Sequence, residues 1–127
     1  MQRVLIVSNR LPITIQERKG ELQVERSVGG LATGLSSWYK SFDSIWIGWA
    51  GVGRKKIKKE KDVMARLESE NCYPVALSQQ DVEAYYQGFC NQTIWPLFHY
   101  FPFDAEYSED FWRAYERVNT AFANVVA

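Results

Sequence analysis

The sequence predicts an α/β fold built on a parallel sheet, and three observations carry this prediction. Residues 4–7 form a short apolar, β-branched run that turns at once into the polar Ser8-Asn9-Arg10, as a buried parallel strand does at its end. A glycine pair then opens a stretch with helical periodicity. A second buried strand at residues 45–49 completes a βαβ unit.

A β-hairpin is predicted between the first strand and the glycine pair. Pro12 biases Leu11 away from helical conformation. Residues 13–15 and 22–24 alternate apolar with polar side chains, and residues 17–21 between them are polar. We expect this hairpin to be an exposed flap inserted after the first strand.

Helical periodicity places two helices around the second strand. The first is predicted from about Gly30 to Phe42, with apolar side chains on one face: Leu31, Leu35, Trp38 and Phe42. The basic residues 54–61 are interpreted as a solvated loop and first helical turn, not as a nucleic-acid patch, because acidic residues balance them and no aromatic side chains interleave. Apolar spacing then predicts a second helix that ends near Ser69.

The second half of the chain is predicted to contain one short strand and two helices. Residues 74–77 form the strand, and Ser78 opens a helix through a capping box. Residues 94–102 hold two prolines and are not expected to form a regular helix. Ser108 is predicted to cap a last helix that reaches Ala127 without a glycine, proline or basic cap, so we expect a fragment cut within a helix.

Composition narrows the function classes. Fifteen basic and fifteen acidic side chains cancel, so no global field recruits nucleic acid or an anionic membrane. The apolar run at the amino terminus is too short for a signal-peptide core or a membrane span. Cys72 and Cys90 lack metal-ligand spacing and are too few for a disulfide framework, which predicts a reduced, cytoplasmic setting.

Arg10 and the glycine pair Gly29-Gly30 are candidate anion ligands. Ligands of open α/β sheets bind beyond the carboxyl ends of the strands, where Arg10 stands, and a planar guanidinium matches phosphate oxygens. A helix that begins at glycines presents free N–H groups and its positive dipole end to an anion. The alternatives are a surface arginine and an ordinary glycine turn. Neither GxGxxG nor a P-loop is present, which argues against a dinucleotide or P-loop enzyme.

Three aromatic residues are candidate sugar contacts. Trp49, Tyr86 and Trp95 lie where elements end or the chain is irregular, and such rings pair an apolar face with one polar group. The alternative is that they belong to the core. His99 is interpreted as a packed, hydrogen-bonded residue rather than a general base. No Cys/His cluster or carboxylate cage indicates a metal site.

Five blocks of the sequence together resemble one family. In order they are SNRLPITI, SVGGLATGL, IWIGWAG, YYQGFCNQTIWPLFHY and FWRAYERVN. They are similar to the trehalose-6-phosphate synthases, glycosyltransferase family 20. The resemblance implies two Rossmann-like domains facing across a cleft, the GT-B architecture. It also implies transfer of glucose from UDP-glucose to glucose 6-phosphate with retention, giving trehalose 6-phosphate and UDP, with no cofactor and no bound metal.

The resemblance also implies roles for single residues. Arg10 would bind the phosphate of glucose 6-phosphate. Trp49, Tyr86 and Trp95 would hold the acceptor sugar and its phosphate, and the Gly29-Gly30 pair would offer backbone N–H to the donor diphosphate. Residues 1–127 would then be part of the amino-terminal, acceptor-side domain without the carboxyl-terminal donor domain. Because family members hold the groups that stabilise departing UDP largely in that second domain, we expect the chain alone to be inactive.

Other interpretations stay open on the sequence. A related transferase with another acceptor would share these blocks. A non-catalytic, synthase-like sensor of sugar phosphates would share them too, and the residues beyond Ala127 would separate a sensor from an enzyme. Whether a phosphatase domain follows is also open. A truncated helix with bare apolar surface would favour self-association, so a homo-oligomer remains an open expectation.

Overall fold

The structure is a computed structural model that describes residues 2–127, with the side chain of Arg54 excepted. The chain divides into two compact units, Met1–Ala76 and Leu77–Ala127. The first contains both sheets and the second contains only helices and connecting turns. Among the described residues, no helix combines the length and the apolar content that crossing a membrane requires.

The first unit follows the predicted βαβ pattern. Its elements are β1 (Arg3–Arg10), β2 (Ile13–Arg18), β3 (Glu21–Arg26), α1 (Gly30–Tyr39), β4 (Asp43–Trp49), α2 (Arg54–Lys59), α3 (Lys61–Ser69) and β5 (Cys72–Pro74). β4 lies in the middle of a three-stranded sheet and pairs in parallel with β1 and β5. β2 and β3 form an antiparallel hairpin of their own. The α/β class and the hairpin after the first strand are therefore confirmed. The expectation of a buried first strand is wrong, because β1 is an edge strand of this sheet and leaves Leu5 and Val7 about half exposed.

The hairpin is not an exposed flap, so that expectation is wrong. Leu11, Ile13 and Ile15 are among the most completely buried residues of the core. The Ile15 N–H donates to the Ala50 carbonyl over 2.7 Å, which joins β2 to the chain directly after β4. The exposed part of the hairpin is residues 16–21 together with the outward-facing residues of β3, namely Gln23, Glu25 and Arg26. The alternation in β2 correctly predicted that one face of the strand is buried. How deeply that face is buried depends on contacts with residues distant in sequence, which the alternation does not show.

Three predictions in this unit differ from the structure. Residues 54–59, predicted within a solvated loop and first helical turn, form the separate helix α2, whose Ile57 is fully buried in the core. α1 ends at Tyr39, and most of its predicted apolar stripe is exposed, whereas Leu35 and Tyr39 pack against the core. The third strand covers Cys72–Pro74 rather than residues 74–77. The shift follows from hydrogen bonding, because the Trp46 N–H donates to the Asn71 carbonyl and so starts the β4–β5 pairing earlier in the chain.

The second unit is helical and contains an extended π-helical segment. Its helices are α4 (Gln79–Val82), a π-helix (Glu83–Ile94), α5 (Trp95–Phe98) and α6 (Glu109–Val126). The predicted cap at Ser78 is confirmed, since its Oγ accepts a hydrogen bond from the Asp81 N–H at 3.0 Å. Ser108 occupies the cap position of α6, but its side chain makes no capping bond, so that part of the prediction is wrong.

The aromatic segment after the π-helix is partly helical. Residues 95–98 form one helical turn, and no helix continues through residues 99–102, in agreement with the expectation that residues 94–102 form no regular helix. Pro96 lies in the first turn of α5 and has no N–H, so the series of π-helical hydrogen bonds that reaches the Trp95 N–H cannot continue through it. Regular structure then stops, and Tyr100 adopts a positive φ of 63°.

Candidate functional site

Arg10 and Trp49 meet at the carboxyl ends of two neighbouring parallel strands. Arg10 is the last residue of β1, Trp49 is the last residue of β4, and the two lie opposite each other in the sheet. The Arg10 guanidinium carbon is 5.2 Å from the centroid of the Trp49 ring, within the range of a cation–π contact. The structure thus brings together two residues that the sequence predicted for one site.

The charge of Arg10 is available to a ligand. Arg10 is exposed, and none of the ion pairs found among the described residues involves it. Arg3, at the other end of β1, is by contrast paired with Asp43 at 3.1 Å. A guanidinium held over an aromatic face without a carboxylate partner can donate two hydrogen bonds to a phosphate or carboxylate in a bidentate contact.

Trp49 is buried and lacks a hydrogen-bond partner for its indole nitrogen. Only 6% of the residue is exposed, and within the described part of the chain its Nε1 has no acceptor. The core alternative from the sequence therefore holds for this tryptophan, although its face also supports Arg10. An unpaired buried donor costs roughly 1–3 kcal/mol, which makes Trp49 an unusual feature of the site.

Ser27 ties the start of α1 to the end of β1. Its N–H donates to the Pro12 carbonyl and its Oγ donates to the Leu11 carbonyl, each over 2.8 Å. Leu11 directly follows Arg10, and Ser27 lies two residues before Gly29. These bonds therefore hold the glycine pair and Arg10 in the same region of the first unit.

The glycine pair opens α1 as predicted. Gly29 is extended and Gly30 is the first helical residue, without an acidic side chain in the first turn. The first helical bond runs from the Thr33 N–H to the Gly29 carbonyl, so the three preceding N–H groups have no partner inside the helix. A Cβ at either glycine would meet no described atom within 4 Å, so the backbone there is open to a ligand.

Tyr86 and Trp95 lie in the second unit. Tyr86 is 41% exposed on the π-helix, and Trp95 is 62% exposed at the start of α5. Within this chain, neither ring belongs to the buried core. The Trp95 ring stacks on His99 with centroids 3.9 Å apart, and His99 Nδ1 lies 2.8 Å from the Trp95 carbonyl oxygen. His99 is thus hydrogen-bonded and stacked as predicted, but it is exposed.

Neither cysteine has the properties of a nucleophile. Burial, followed by the negative charge of Glu70, raises the pKa of the Cys72 thiol to about 12. Burial also raises the pKa of Cys90. Both thiols therefore stay protonated at neutral pH. Within the described part of the chain, no group of three or more His, Cys, Asp or Glu side chains is arranged to hold a metal ion.

Sequence reasoning missed three residues that shape this site: Ser8, Ser27 and Gly48. Ser8 and Ser27 act through hydrogen bonds to backbone carbonyls and to a side chain distant in sequence, which no local pattern reveals. Gly48 did carry a signal, because a glycine inside a strand often marks a bulge or a close backbone approach.

Comparisons with known proteins agree on one family. The model of Glycosyltransferase family 20 matches residues 2–127. A bifunctional trehalose-6-phosphate synthase/phosphatase of Thermoproteus tenax is 41% identical over 133 residues, which cover 98% of this chain and 18% of that protein. The 56 kDa subunit of the UDP-forming alpha,alpha-trehalose-phosphate synthase of Kluyveromyces lactis is 39% identical over 125 residues, which cover 97% of this chain and 26% of that protein.

A solved structure shares the fold. The E. coli trehalose-6-phosphate structure bound with UDP-2-fluoro glucose superposes with a TM-score of 0.62 and 29% identity, covering 97% of this chain and 24% of that one. The α/β, Rossmann-like class that the sequence predicts therefore agrees with a solved relative. In each comparison the chain spans about a quarter of the matched protein or less.

Proposed function

Because the chain belongs to glycosyltransferase family 20, we propose that it is the acceptor-side part of a UDP-forming trehalose-phosphate synthase. The whole protein would be a retaining glycosyltransferase that moves glucose from UDP-glucose to glucose 6-phosphate. Its products would be trehalose 6-phosphate and UDP. The names of the relatives from Thermoproteus tenax and Kluyveromyces lactis support this reaction, and the E. coli structure with UDP-2-fluoro glucose supports a UDP-sugar donor.

The Arg10–Trp49 pair is the observation that carries the proposal. An exposed guanidinium at the end of a parallel strand, supported by an indole face and without a carboxylate partner, fits the phosphate of glucose 6-phosphate. In the same proposal Tyr86 and Trp95 contact the acceptor sugar. Their exposure supports this role, since a buried ring could not meet a ligand.

The glycine pair would serve the donor side. The first backbone N–H groups of α1 have no partner inside the helix and suit the diphosphate of UDP-glucose. The open space around Gly29 and Gly30 supports this assignment, because a phosphate must approach the backbone closely.

The chain would be part of the amino-terminal, Rossmann-like domain of a GT-B enzyme. Its partner in catalysis, the donor domain, would lie in the rest of the protein, since the chain spans 18% and 26% of its two relatives. Stabilisation of the departing UDP is usually the largest catalytic term, and those groups would belong to the other domain. The 127-residue chain alone would therefore not turn over substrate.

The first experiment measures UDP release from UDP-glucose by the longer protein that we propose contains this chain. We expect release that requires glucose 6-phosphate, and none from the chain alone. Release with equal rate in the absence of glucose 6-phosphate would contradict the acceptor. No release from a folded longer protein, together with binding of glucose 6-phosphate, would instead indicate a sensor.

Arg10→Ala in the same protein tests the site. We expect the KM for glucose 6-phosphate to rise about ten- to a hundredfold with little change for UDP-glucose, because a hydrogen-bonded charge contributes roughly 1.5–3 kcal/mol. Arg3→Ala is the matched control, since it removes an exposed arginine from the same strand whose partner is Asp43. Equal loss of affinity for both substrates would contradict the assignment of Arg10.

A further inference from the structure

We propose that Ser8 is a positioning residue that sets the affinity for the phosphorylated acceptor by fixing where Arg10 stands. This step rests on the proposed function, because it acts only through an arginine that binds acceptor phosphate. In this proposal Ser8 does not contact the ligand. It stabilises an irregularity in β1 that determines the location of Arg10.

The Ser8 hydroxyl both accepts and donates a hydrogen bond. The Trp46 indole Nε1–H donates to Ser8 Oγ over 2.7 Å, and Ser8 Oγ donates to the Arg10 carbonyl over 2.6 Å. An indole N–H can only donate and a carbonyl can only accept, so the direction of both bonds is determined. Trp46 is only 2% exposed and is part of the core, so the bridge ties the Arg10 backbone to a rigid group.

The bridge spans a register shift between β1 and β4. Val7 lies opposite Ile47, whereas Arg10 lies opposite Trp49. Three steps along β1 therefore match two steps along β4, which is a one-residue β-bulge. In an unbroken register Asn9, not Arg10, would lie opposite Trp49.

Gly48 provides the room for this bulge. A Cβ on Gly48 would lie 2.8 Å from the Ser8 carbonyl oxygen and 2.9 Å from both the Arg10 carbonyl carbon and the Leu11 nitrogen. All three are backbone atoms, so they cannot move aside as a flexible side chain can. The bulge thus packs directly on a position that only glycine fills.

Together these contacts determine which side chain of β1 lies opposite Trp49. The bulge shifts the register of β1 by one residue, and the absence of a side chain at Gly48 leaves room for the bulge. The hydrogen bond from Trp46 to the Ser8 hydroxyl then holds the bulge in place. Loss of the hydroxyl would leave the Trp46 N–H buried without an acceptor and would free the Arg10 carbonyl. The guanidinium would then lose its fixed place over the Trp49 ring, and acceptor phosphate would bind more weakly.

A double-mutant cycle in the longer protein tests this role. We expect Ser8→Ala to raise the KM for glucose 6-phosphate roughly three- to tenfold, the range for loss of one neutral hydrogen bond. The KM for UDP-glucose and kcat should change less than about twofold. In an Arg10→Ala background Ser8→Ala should add less than about twofold to the acceptor KM, because its effect passes through Arg10.

Two further variants and one control keep the result interpretable. Ser8→Thr keeps the hydroxyl and should restore the acceptor KM. If Ser8→Ala does not fold, Trp46→Phe removes the indole donor while keeping a buried ring, and the same cycle with Arg10→Ala applies. Ser69→Ala is the control, because Ser69 Oγ donates to a backbone carbonyl of the same unit but far from Arg10 in sequence.

The outcomes separate this proposal from the proposed function. An equal factor for Ser8→Ala with and without Arg10 would overturn the positioning role. So would an unchanged acceptor KM in Ser8→Ala when Arg10→Ala raises that KM. An Arg10→Ala variant with unchanged acceptor KM would instead contradict the assignment of Arg10 to the acceptor site.

Discussion

Burial separates the aromatic residues of the candidate site into two kinds. Trp49 is a core residue whose face supports Arg10, while Tyr86 and Trp95 expose their rings to solvent. A buried indole can position a neighbouring cation but offers little surface to a sugar, whereas an exposed ring offers a face for stacking. We therefore expect Trp49 to act mainly through Arg10, and Tyr86 and Trp95 to contact the acceptor.

Gly48→Ala should destabilise the protein. The added methyl group would meet backbone atoms of the β1 bulge at 2.8–2.9 Å, so we expect the free energy of unfolding to fall by about 1–3 kcal/mol, as overpacking typically does. Gly34→Ala is the matched control, since a Cβ there meets nothing within 4 Å in the described structure. In the interior of α1 that change should stabilise by about 0.5–1 kcal/mol.

Urea denaturation of both glycine variants checks this pair. A Gly48→Ala protein as stable as the parent would mean that the bulge can relax away from β4. The register shift would then be too soft to fix Arg10, which would also weaken the case for Ser8.

Among the elements, the π-helix is the least usual. Its hydrogen bonds reach one residue further than those of an α-helix, as the bond from the Trp95 N–H to the Cys90 carbonyl shows. Gly88 faces Phe111 of α6 so closely that a Cβ would lie 2.6 Å from the ring. This close packing allows the π-helix and α6 to share a core, while Tyr86 on the same helix stays accessible.

Ser78→Ala and Ser108→Ala should differ although both serines occupy helix caps. Ser78 Oγ accepts the Asp81 N–H, so its loss should cost about 1 kcal/mol of the free energy of unfolding. Ser108 makes no capping bond with its side chain, so its replacement should change stability by less than about 0.5 kcal/mol. Denaturation midpoints of the two variants give the comparison, and equal losses would contradict the assigned caps.

On the scale of the molecule, each of the two units has its own buried residues. The first packs the hairpin, β4 and the helices α2 and α3 around one apolar cluster that includes Cys72. The second buries Ala114 and Val118 of α6. Stability of the first unit should therefore respond to ionisation within its own core.

Alkaline pH should destabilise the protein through Cys72. The folded pKa is raised from 9.0 to about 12, so between these values the unfolded chain has lost the thiol proton and the folded chain keeps it. The stabilising contribution of the protonated Cys72 thiol to the free energy of unfolding is complete below pH 9 and is lost as pH rises towards 12. The free energy of unfolding should fall with a slope that approaches about 1.4 kcal/mol per pH unit from this group.

Urea denaturation of the parent and of Cys72→Ala at a series of pH values between 8 and 11 would test this. The pH dependence of the free energy of unfolding should correspond to about one proton fewer in the variant than in the parent. The variant should still lose some stability above pH 10, since burial raises the pKa of Tyr85 to about 12. Parallel curves for the two proteins would show that Cys72 ionises equally in both states.

Local patterns in the sequence were enough to predict the order of the elements and the location of Arg10 at a strand end. Apolar alternation, helical periodicity and turn residues are local signals, and they predicted the hairpin, the βαβ unit and the Ser78 cap. Family blocks along the same sequence also predicted the glycosyltransferase family.

Which residues meet and which are buried became clear from the three-dimensional packing alone. The bulge that places Arg10 rather than Asn9 opposite Trp49 depends on Gly48 and Trp46, both of them far from Ser8 in the sequence. The burial of Trp49 likewise depends on packing across the unit. Register and burial arise from contacts between residues distant in sequence, so a local pattern can predict a strand but not the partner that each of its side chains meets.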